Sequence, residues 1–567
     1  MSEPMSASAL RFTLALGVLV AAALVPAAAA SLPAAAVAAK PPDMIRVGGP
    51  SAPRDAKQAV IGSRRDLRGW RFTVTNRRGR TVLRGRLRRA AGSPAPWRRA
   101  AIADLSAVRR PGRYRLWVGR LHSRAWVVKR RPERAPIRTI LRFFEANADG
   151  NESSPAHGPA HLNDAMVAGG LHAGQKFDLT GGWMDAGDML KFTNTTAYAA
   201  AALQLAATLD PAEAQALWDR ADVGIRYLLK THPAPDLFIA QVGDARDHEL
   251  GFRDPADDDG SGLPGIGTRL AYPNMGGDLG GVVALALGLA AARAEGEHRD
   301  DLLNQAGDWY AAGRAVGGPA PQLPDPVGDF YVGYSGEQAL AAGAAALYRV
   351  TGDPALLDDA VSFLASIEPD GRLGWDSLGG IAAWLLCDLP SGSGESVVAA
   401  RAAGCRALLG QARAARDQAR RGVFGTPGAF TWGQTAENAG GGVLAALAAR
   451  AKGGAGHRKV AAHARDWLLG RNPWGASFVA GFGPRPPRRI HHWLSLRGPG
   501  RPAGAVVGGP APLADIRGQE VGTFRPGRFD TAGFAYEDRV ADYVTSEPAL
   551  DYAASSILLL AAAAPDR

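Results

Sequence analysis

Cysteine is almost missing from this 567-residue chain, which has only Cys387 and Cys405. No Cys/His cluster has the spacing of a zinc site. The pair itself is compatible with a disulfide, which an exported chain permits, and equally with two small buried residues in helix-like segments. Long apolar runs are scarce too. The run from Leu14 to Ala30 follows Arg11, is interrupted by Pro26 and ends in small residues before Ser31. That is the pattern of a secretory signal peptide with cleavage after Ala30 or Ala38, so residues 1–39 are set apart from the fold and the mature protein is expected outside the cell. No other stretch is long and uninterrupted enough to span a bilayer. Nucleic-acid motifs are lacking as well, although the net charge is +11 and Arg is dense between Arg54 and Arg138. Those arginines are scattered through a strand-like segment and read as a solvated face able to hold anionic polymers, with no nucleic acid as partner.

What is present is an ordinary globular composition, 46% hydrophobic and 21% charged, in a chain long enough for two or more domains. Residues 44–130 alternate apolar with polar, as in Trp70-Arg71-Phe72-Thr73-Val74 and Tyr114-Arg115-Leu116-Trp117-Val118. Gly and Pro punctuate them at short intervals, which predicts a small β-sandwich. From residue 137 to the C-terminus the texture becomes helical. Ala/Leu-rich segments such as Ala197–Thr208, Glu213–Thr231, Leu279–Ala294, Gly336–Val350, Pro354–Ile367, Ala400–Arg420, Ala436–Lys452 and Glu547–Ala564 alternate with Gly, Pro, Asp and aromatic loops. Asp210-Pro211 and Asp353-Pro354 each follow one helix and predict an N-cap with proline in the first turn of the next. About six helix–turn–helix pairs predict a closed ring with its functional loops at one end. Trp183, Phe252, Tyr272, Tyr334, Trp375, Trp432, Trp474 and Trp493 lie near helix ends, and together they predict a groove with sugar-stacking platforms.

Two constellations carry chemistry. Gly181-Gly182-Trp183-Met184-Asp185-Ala186-Gly187-Asp188 sets two carboxylates three residues apart on a Gly-rich bend, able to hold and deprotonate one water. Far along the chain, Glu547 precedes Pro548 and a long apolar helix. A place in that helix's first turn would lower its pKa, so an acid role requires burial or neighbouring carboxylates.

Read together, these motifs resemble glycoside hydrolase family 9, the inverting cellulase family. The resemblance runs from about Leu141 to Leu560. It rests on Gly182 to Asp188 with Lys191-Phe192, and on Gly470-Arg471-Asn472-Pro473-Trp474-Gly475 with His491-His492. It rests also on Tyr536, Asp538, Tyr543, Glu547 and Ala549 at the spacings of a C-terminal signature. Members often carry an N-terminal immunoglobulin-like domain, which suits residues 44–130, and their catalytic fold is an (α/α)6 barrel. The resemblance implies a mostly α, secreted hydrolase of β-glucan, β-1,4-linked as for a cellulase, acting as a monomer without a required cofactor. Asp188 would be the general base, Asp185 would hold the water, and Glu547 would be the general acid. His491 and Tyr543 would bind sugar hydroxyls, with Trp183, Trp375, Trp432 and Trp493 along the substrate.

Departures from the family pattern stand at Met189 (usually His or Tyr), Trp493 (commonly Arg after the paired histidines), Ser546 and Ala553 (both commonly Asn). Arg485, Arg488 and Arg489 are candidates to replace the missing arginine. Two alternatives stay open: an exo-acting glycosidase on short oligosaccharides or amino sugars, walled off by Arg497–Pro512, and a glycan-binding protein without catalysis. The cluster Asp254 to Gly260 matches no EF-hand spacing and reads as a solvated acidic loop, with structural calcium as the alternative.

Overall fold

The computed structural model describes residues 40–565, except 153, 325, 326, 329, 334, 392, 393 and 520–523. The signal-peptide reading of residues 1–39 and the reading of Tyr334 lie outside the described residues. Among those described, no helix is long and apolar enough to cross a membrane.

Nine strands build the sandwich: β1 (Met44–Arg46), β2 (Gln58–Ser63), β3 (Arg71–Asn76), β4 (Thr81–Arg86), β5 (Arg88–Arg89), β6 (Arg99–Asp104), β7 (Gly112–Val118), β8 (Leu121–His122) and β9 (Trp126–Val128). They form two antiparallel sheets, ordered β1-β2-β6-β5 and β4-β3-β7-β8, with β9 also on β7. Strand alternation turns Ile61, Phe72, Val74, Ala101, Leu116 and Val118 into the shared core. The Tyr114 hydroxyl donates to Arg110 O at 2.7 Å and ties the strand-entry corner.

The rest is a ring of twelve longer helices in six pairs. They are α1 (Arg134–Ala146), α2 (Thr193–Leu209), α3 (Ala214–Leu228), α4 (Gly277–Ala291), α5 (Gly296–Val316), α6 (Glu337–Thr351), α7 (Pro354–Ala365), α8 (Gly379–Cys387), α9 (Glu395–Ala419), α10 (Gln434–Lys452), α11 (Ala455–Leu468) and α12 (Leu550–Ala562). Helices α2, α4, α6, α8, α10 and α12 are neighbours in sequence around the inner ring, and α12 closes it by packing on both α10 and α2. The inner helices are apolar on nearly every side because they are covered on every side, whereas α3 and α11 keep a polar face outward. The fold is thus an (α/α)6 barrel preceded by an immunoglobulin-like sandwich.

Local sequence rules held unevenly. Asp353 caps α7, accepting from Ala355 N at 2.9 Å with Pro354 behind it. Asp210 does not cap α3: its carboxylate accepts from Arg131, and the helix starts only at Ala214. The disulfide alternative is the one realised, since Cys387 at the end of α8 is bonded to Cys405 in α9.

A short sheet braces one end of the ring: β10 (Met166–Val167), β11 (Lys191–Phe192), β12 (Ile239–Val242) and β13 (Leu270–Pro273), ordered β10-β13-β12-β11. β11 runs straight into α2. The sandwich is seated on the barrel by polar and aromatic contacts. Arg46 donates to Pro473 O at 3.1 and 2.6 Å while lying 4.6 Å over the Phe529 ring. Arg465 reaches back from the barrel to Asp55 at 2.7 Å.

Candidate active site

Loops that enter the inner helices carry carboxylates and aromatics singled out above. Asp185 and Asp188 precede α2, Trp375 precedes α8, Trp432 precedes α10, and Glu547 precedes α12. Consecutive inner helices run the same way, so these loops gather at one mouth of the ring, where the helices present their positive ends.

The turn carrying the two aspartates is held by its neighbours. Asn147 Nδ2 donates to Met184 O at 2.9 Å and Ala186 O at 3.3 Å, and its Oδ1 meets His492 Nε2 at 3.0 Å. One side chain therefore joins the aspartate turn to the paired histidines. Gly187 has to be glycine, because a Cβ there would collide with His491 O and crowd Glu547 Oε1. That absence lets Gly187 N–H reach Glu547 Oε1 at 3.3 Å, across 360 residues of sequence.

The three carboxyls are differently dressed. Asp185 is 1% exposed, accepts from Thr195 Oγ1 at 2.5 Å and from the Tyr331 hydroxyl, and is pushed up to about 7, chiefly by burial. Asp188 Oδ2 pairs with His248 Nε2 at 3.0 Å, and its Oδ1 accepts from Leu190 N at 3.0 Å. That pairing raises His248 to about 9, so it stands beside Asp188 as a cation at neutral pH. Glu547 is pushed up to about 8 by burial first and by the Asp188 charge second, against the opposing pull of Gly187 N–H and His248. It lies outside α12, in extended backbone. The first-turn position expected for it is corrected: Asp551 occupies that turn, and Glu547 precedes the helix.

Aromatic rings flank the carboxyls in two chains of contact. His491 lies 4.8 Å from Phe252 and 5.7 Å from Tyr543, which lies 5.9 Å from Trp432. Tyr331 lies 4.8 Å from Phe192 and 5.0 Å from Trp375. The His491 Nδ1 contact to Val540 O at 2.6 Å makes that nitrogen the donor and leaves Nε2 as an acceptor, and burial holds the ring below its usual pKa.

Two expected sugar platforms are not platforms. Trp183 is 0% exposed, edge-on to Phe144 at 5.2 Å, inside the barrel core. Trp493 is 1% exposed and packs with Met184, Met189 and Leu494. The two departures at Met189 and Trp493 are one packing event: a thioether and an indole bury each other behind the turn. Trp474 is also internal, its Nε1 donating to Asp530 at 2.7 Å. Trp432 is 38% exposed and Trp375 partly so, as a cleft wall requires.

The other loop readings are revised in the same way. Arg485 faces Arg46 of the sandwich, and Arg488 and Arg489 are exposed with their backbone N–H groups on Asp538 at 2.7–3.1 Å. None of them stands in for the missing arginine in the carboxylate cluster. The Gly/Pro segment 497–512 is no rim wall over most of its length. Ala505, Val506 and Val507 are buried, and Gly508 N donates to Glu547 O at 2.9 Å, so it forms the floor under the glutamate. Three carboxylates of the acidic loop are engaged by protein partners. Asp258 lies against Arg253 at 2.6 Å and His161 at 3.2 Å, Asp254 against Arg497, and Asp259 accepts from Leu162 N and Asn163 N. Among the described residues no group of three or more His, Cys, Asp or Glu is arranged for a metal.

Sequence reasoning passed over His248, Tyr331, Thr195 and Asn147. It passed over the buried charge network too, in which Lys191 pairs with Asp149 at 2.9 Å and Asp164 at 2.8 Å, while Arg269 pairs with the same two at 3.0 and 2.6 Å. Arg269 also donates to Met189 O, beside the aspartate turn. Lys191 beside the aspartate motif was the available signal, since a Lys in so apolar a stretch calls for buried partners.

Known proteins share this architecture. Endoglucanase 21 of Oryza sativa subsp. japonica is 30% identical over 427 residues, spanning 65% of this chain and 77% of that protein. Endoglucanase B of Cellulomonas fimi is 27% identical over 458 residues, 74% of this chain and 41% of that protein. A single-mutant thermostable endoglucanase from Alicyclobacillus acidocaldarius superposes with a TM-score of 0.77 at 26% identity, covering 93% of this chain and 100% of that one. The family model described as Cellulase N-terminal ig-like domain matches residues 52–123. The model described as Glycosyl hydrolase family 9 matches residues 135–560, the whole helical ring, and the chain therefore belongs to glycosyl hydrolase family 9.

Proposed function

We propose that this protein is an exported endo-acting hydrolase of β-1,4-linked glucan that inverts the anomeric centre. Glu547 is the general acid, Asp188 the general base, and Asp185 the second oxygen cradle for the attacking water. The observation that carries the reading is the hydrogen bond from Gly187, inside the aspartate turn, to Glu547 Oε1. It supports an acid and a base acting in one site, with Glu547 Oε2 as the oxygen that carries the proton.

The protonation states suit the division of labour. With a pKa near 8, Glu547 keeps its proton at neutral pH and can pass it to the departing glycosidic oxygen. Asp188, held beside the His248 cation, takes a proton from water as that water attacks the anomeric carbon from the opposite face. An inverting site needs its two carboxyls about 6.5–9.5 Å apart to admit that water. His491 Nε2 is free to accept a sugar hydroxyl, and Tyr543, Trp432 and Trp375 supply apolar and polar walls.

Glu547→Gln and Asp188→Asn should each lower kcat on soluble β-1,4-glucan by about 100- to 10,000-fold. Proton NMR of fresh product should show the α-anomer first, and chromatography should show mixed oligomers early. A β-anomer first would overturn inversion, and a single small product from the outset would favour the exo reading. Tight binding with no cleavage by the parent protein would leave only glycan binding.

A further inference from the structure

The two parts of the chain carry opposite charge. Residues 44–130 hold 22 Arg and 2 Lys against 3 Asp and no Glu, a net +21; the whole chain is +11, so the remainder carries −10. Five of these arginines share one sheet face. In the β4-β3-β7-β8 sheet, Phe72, Val74, Leu116 and Val118 point inward, which puts Arg71, Arg84, Arg86, Arg113, Arg115 and Trp117 on the opposite side. All five arginines are exposed.

Register makes this a compact array. Arg71 is paired directly with Arg86, Thr73 lies between Arg84 and Trp117, and Thr75 is paired with Arg115. Trp117 is fixed by Nε1 donating to Thr75 Oγ1 at 3.0 Å and by His122 at 4.9 Å. No carboxylate answers the array. Among the described residues, ion pairs of the sandwich join Arg65 to Asp43, Arg68 to Asp66 and Asp55 to Arg465, and none includes an arginine of this face. Like charges directly opposite on neighbouring strands repel, and a polyanion is the partner that relieves them.

We propose that this sheet face docks an acidic polysaccharide, a polyuronate with one carboxylate per sugar. The arginines stand on strands spaced about 4.8 Å apart, close to the length of one sugar unit, and each guanidinium can take a carboxylate through two parallel N–H donors. Trp117 offers a single apolar surface to a sugar ring. Single-stranded nucleic acid fits less well, because its bases call for successive stacking aromatics and this face offers one indole. The net negative barrel is repelled by the same polymer, so docking through the sandwich leaves the catalytic mouth free for a neutral glucan.

Polygalacturonate is the probe. The full chain should bind it at low salt and bind neutral hydroxyethylcellulose through this face not at all, with log affinity falling linearly as log salt rises. Arg84→Glu with Arg115→Glu should weaken polygalacturonate binding by about tenfold or more, because each reversal removes one released counterion and adds repulsion. Trp117→Ala should weaken it further by several fold. The charge-reversed protein should keep its melting temperature and its rate on soluble glucan. No binding of polygalacturonate at low salt, binding unmoved by the reversal, or preference for oligo(dT) at equal salt would each overturn the proposal. All of these are read from binding, so they stand apart from whether the barrel cleaves glucan.

Discussion

Glu547 stands three residues ahead of Leu550, where α12 begins, in extended backbone. Burial and the Asp188 charge then raise its pKa to about 8. A carboxyl raised on folding binds its proton over a pH range where the unfolded chain has released it. Stability therefore falls as pH climbs from the ordinary 4.5 through about 8. Glu547→Gln, which cannot ionise, should gain melting temperature relative to the parent as the pH is raised from about 5 to about 9, and the gap should be smallest at the acid end. A gap independent of pH would mean that Glu547 is not the buried, proton-holding group. The parent's kcat/KM should fall above about pH 8 as the same proton leaves. At this scale residue identity was legible and residue environment was not. The motifs alone offered Asp185, Asp188 and Glu547 as candidates. That Trp183 faces the core and Trp432 the cleft could not, because an indole beside a Gly-rich turn reads the same whichever side of the backbone is filled.

Elements explain why the site is stiff. Strand β11 is tied to β12 by antiparallel pairing, and Lys191 at its start is buried against Asp149 and Asp164 with further hydrogen bonds to Leu179 O at 2.9 Å and Gly181 O at 3.2 Å. Arg269 completes the cluster and holds Met189 O. Removing one member leaves uncompensated charge in the interior. Arg269→Met should cost about 3–5 kcal/mol in urea unfolding and loosen the turn that carries Asp188, lowering kcat more than it raises KM. A loss under about 1 kcal/mol would show that water reaches and solvates this cluster. Helix placement was largely legible, since Ala/Leu periodicity marks α2, α4, α6, α10 and α12. Helix α5 was passed over because Gly296, Gly307 and Gly313 and its charges dilute the pattern, although Leu302, Ala306, Trp309 and Tyr310 keep helical spacing. Glycine is tolerated at Gly313 for a packing reason, since its Cα lies against Gly280 of α4 and a Cβ would intrude there.

At the scale of the molecule, sandwich and barrel share a boundary with buried charge and aromatic packing. Arg465 is buried between Asp55 of the sandwich and Asp466 of its own helix, and Trp97 lies 6.3 Å from Phe424 and 5.8 Å from Phe529. Separating the two would strand a buried guanidinium and expose these rings, so calorimetry of the full chain should show one cooperative unfolding transition. Two resolved transitions, with the smaller lost on deleting residues 44–130, would show that the boundary contributes little. The sequence by itself marked the strand-rich segment and most of the long helices, implied that the helices pair and close, and offered the candidate carboxyls and histidines, because periodicity and motif spacing are local properties. Only the tertiary structure decided that Glu547 would meet Gly187, that His248 and Tyr331 would join the carboxyls, and that Met189 and Trp493 would turn from the cleft. Those outcomes depend on which loops the closing ring brings together and on what volume each side chain finds unfilled, and neither is written in any short stretch of chain.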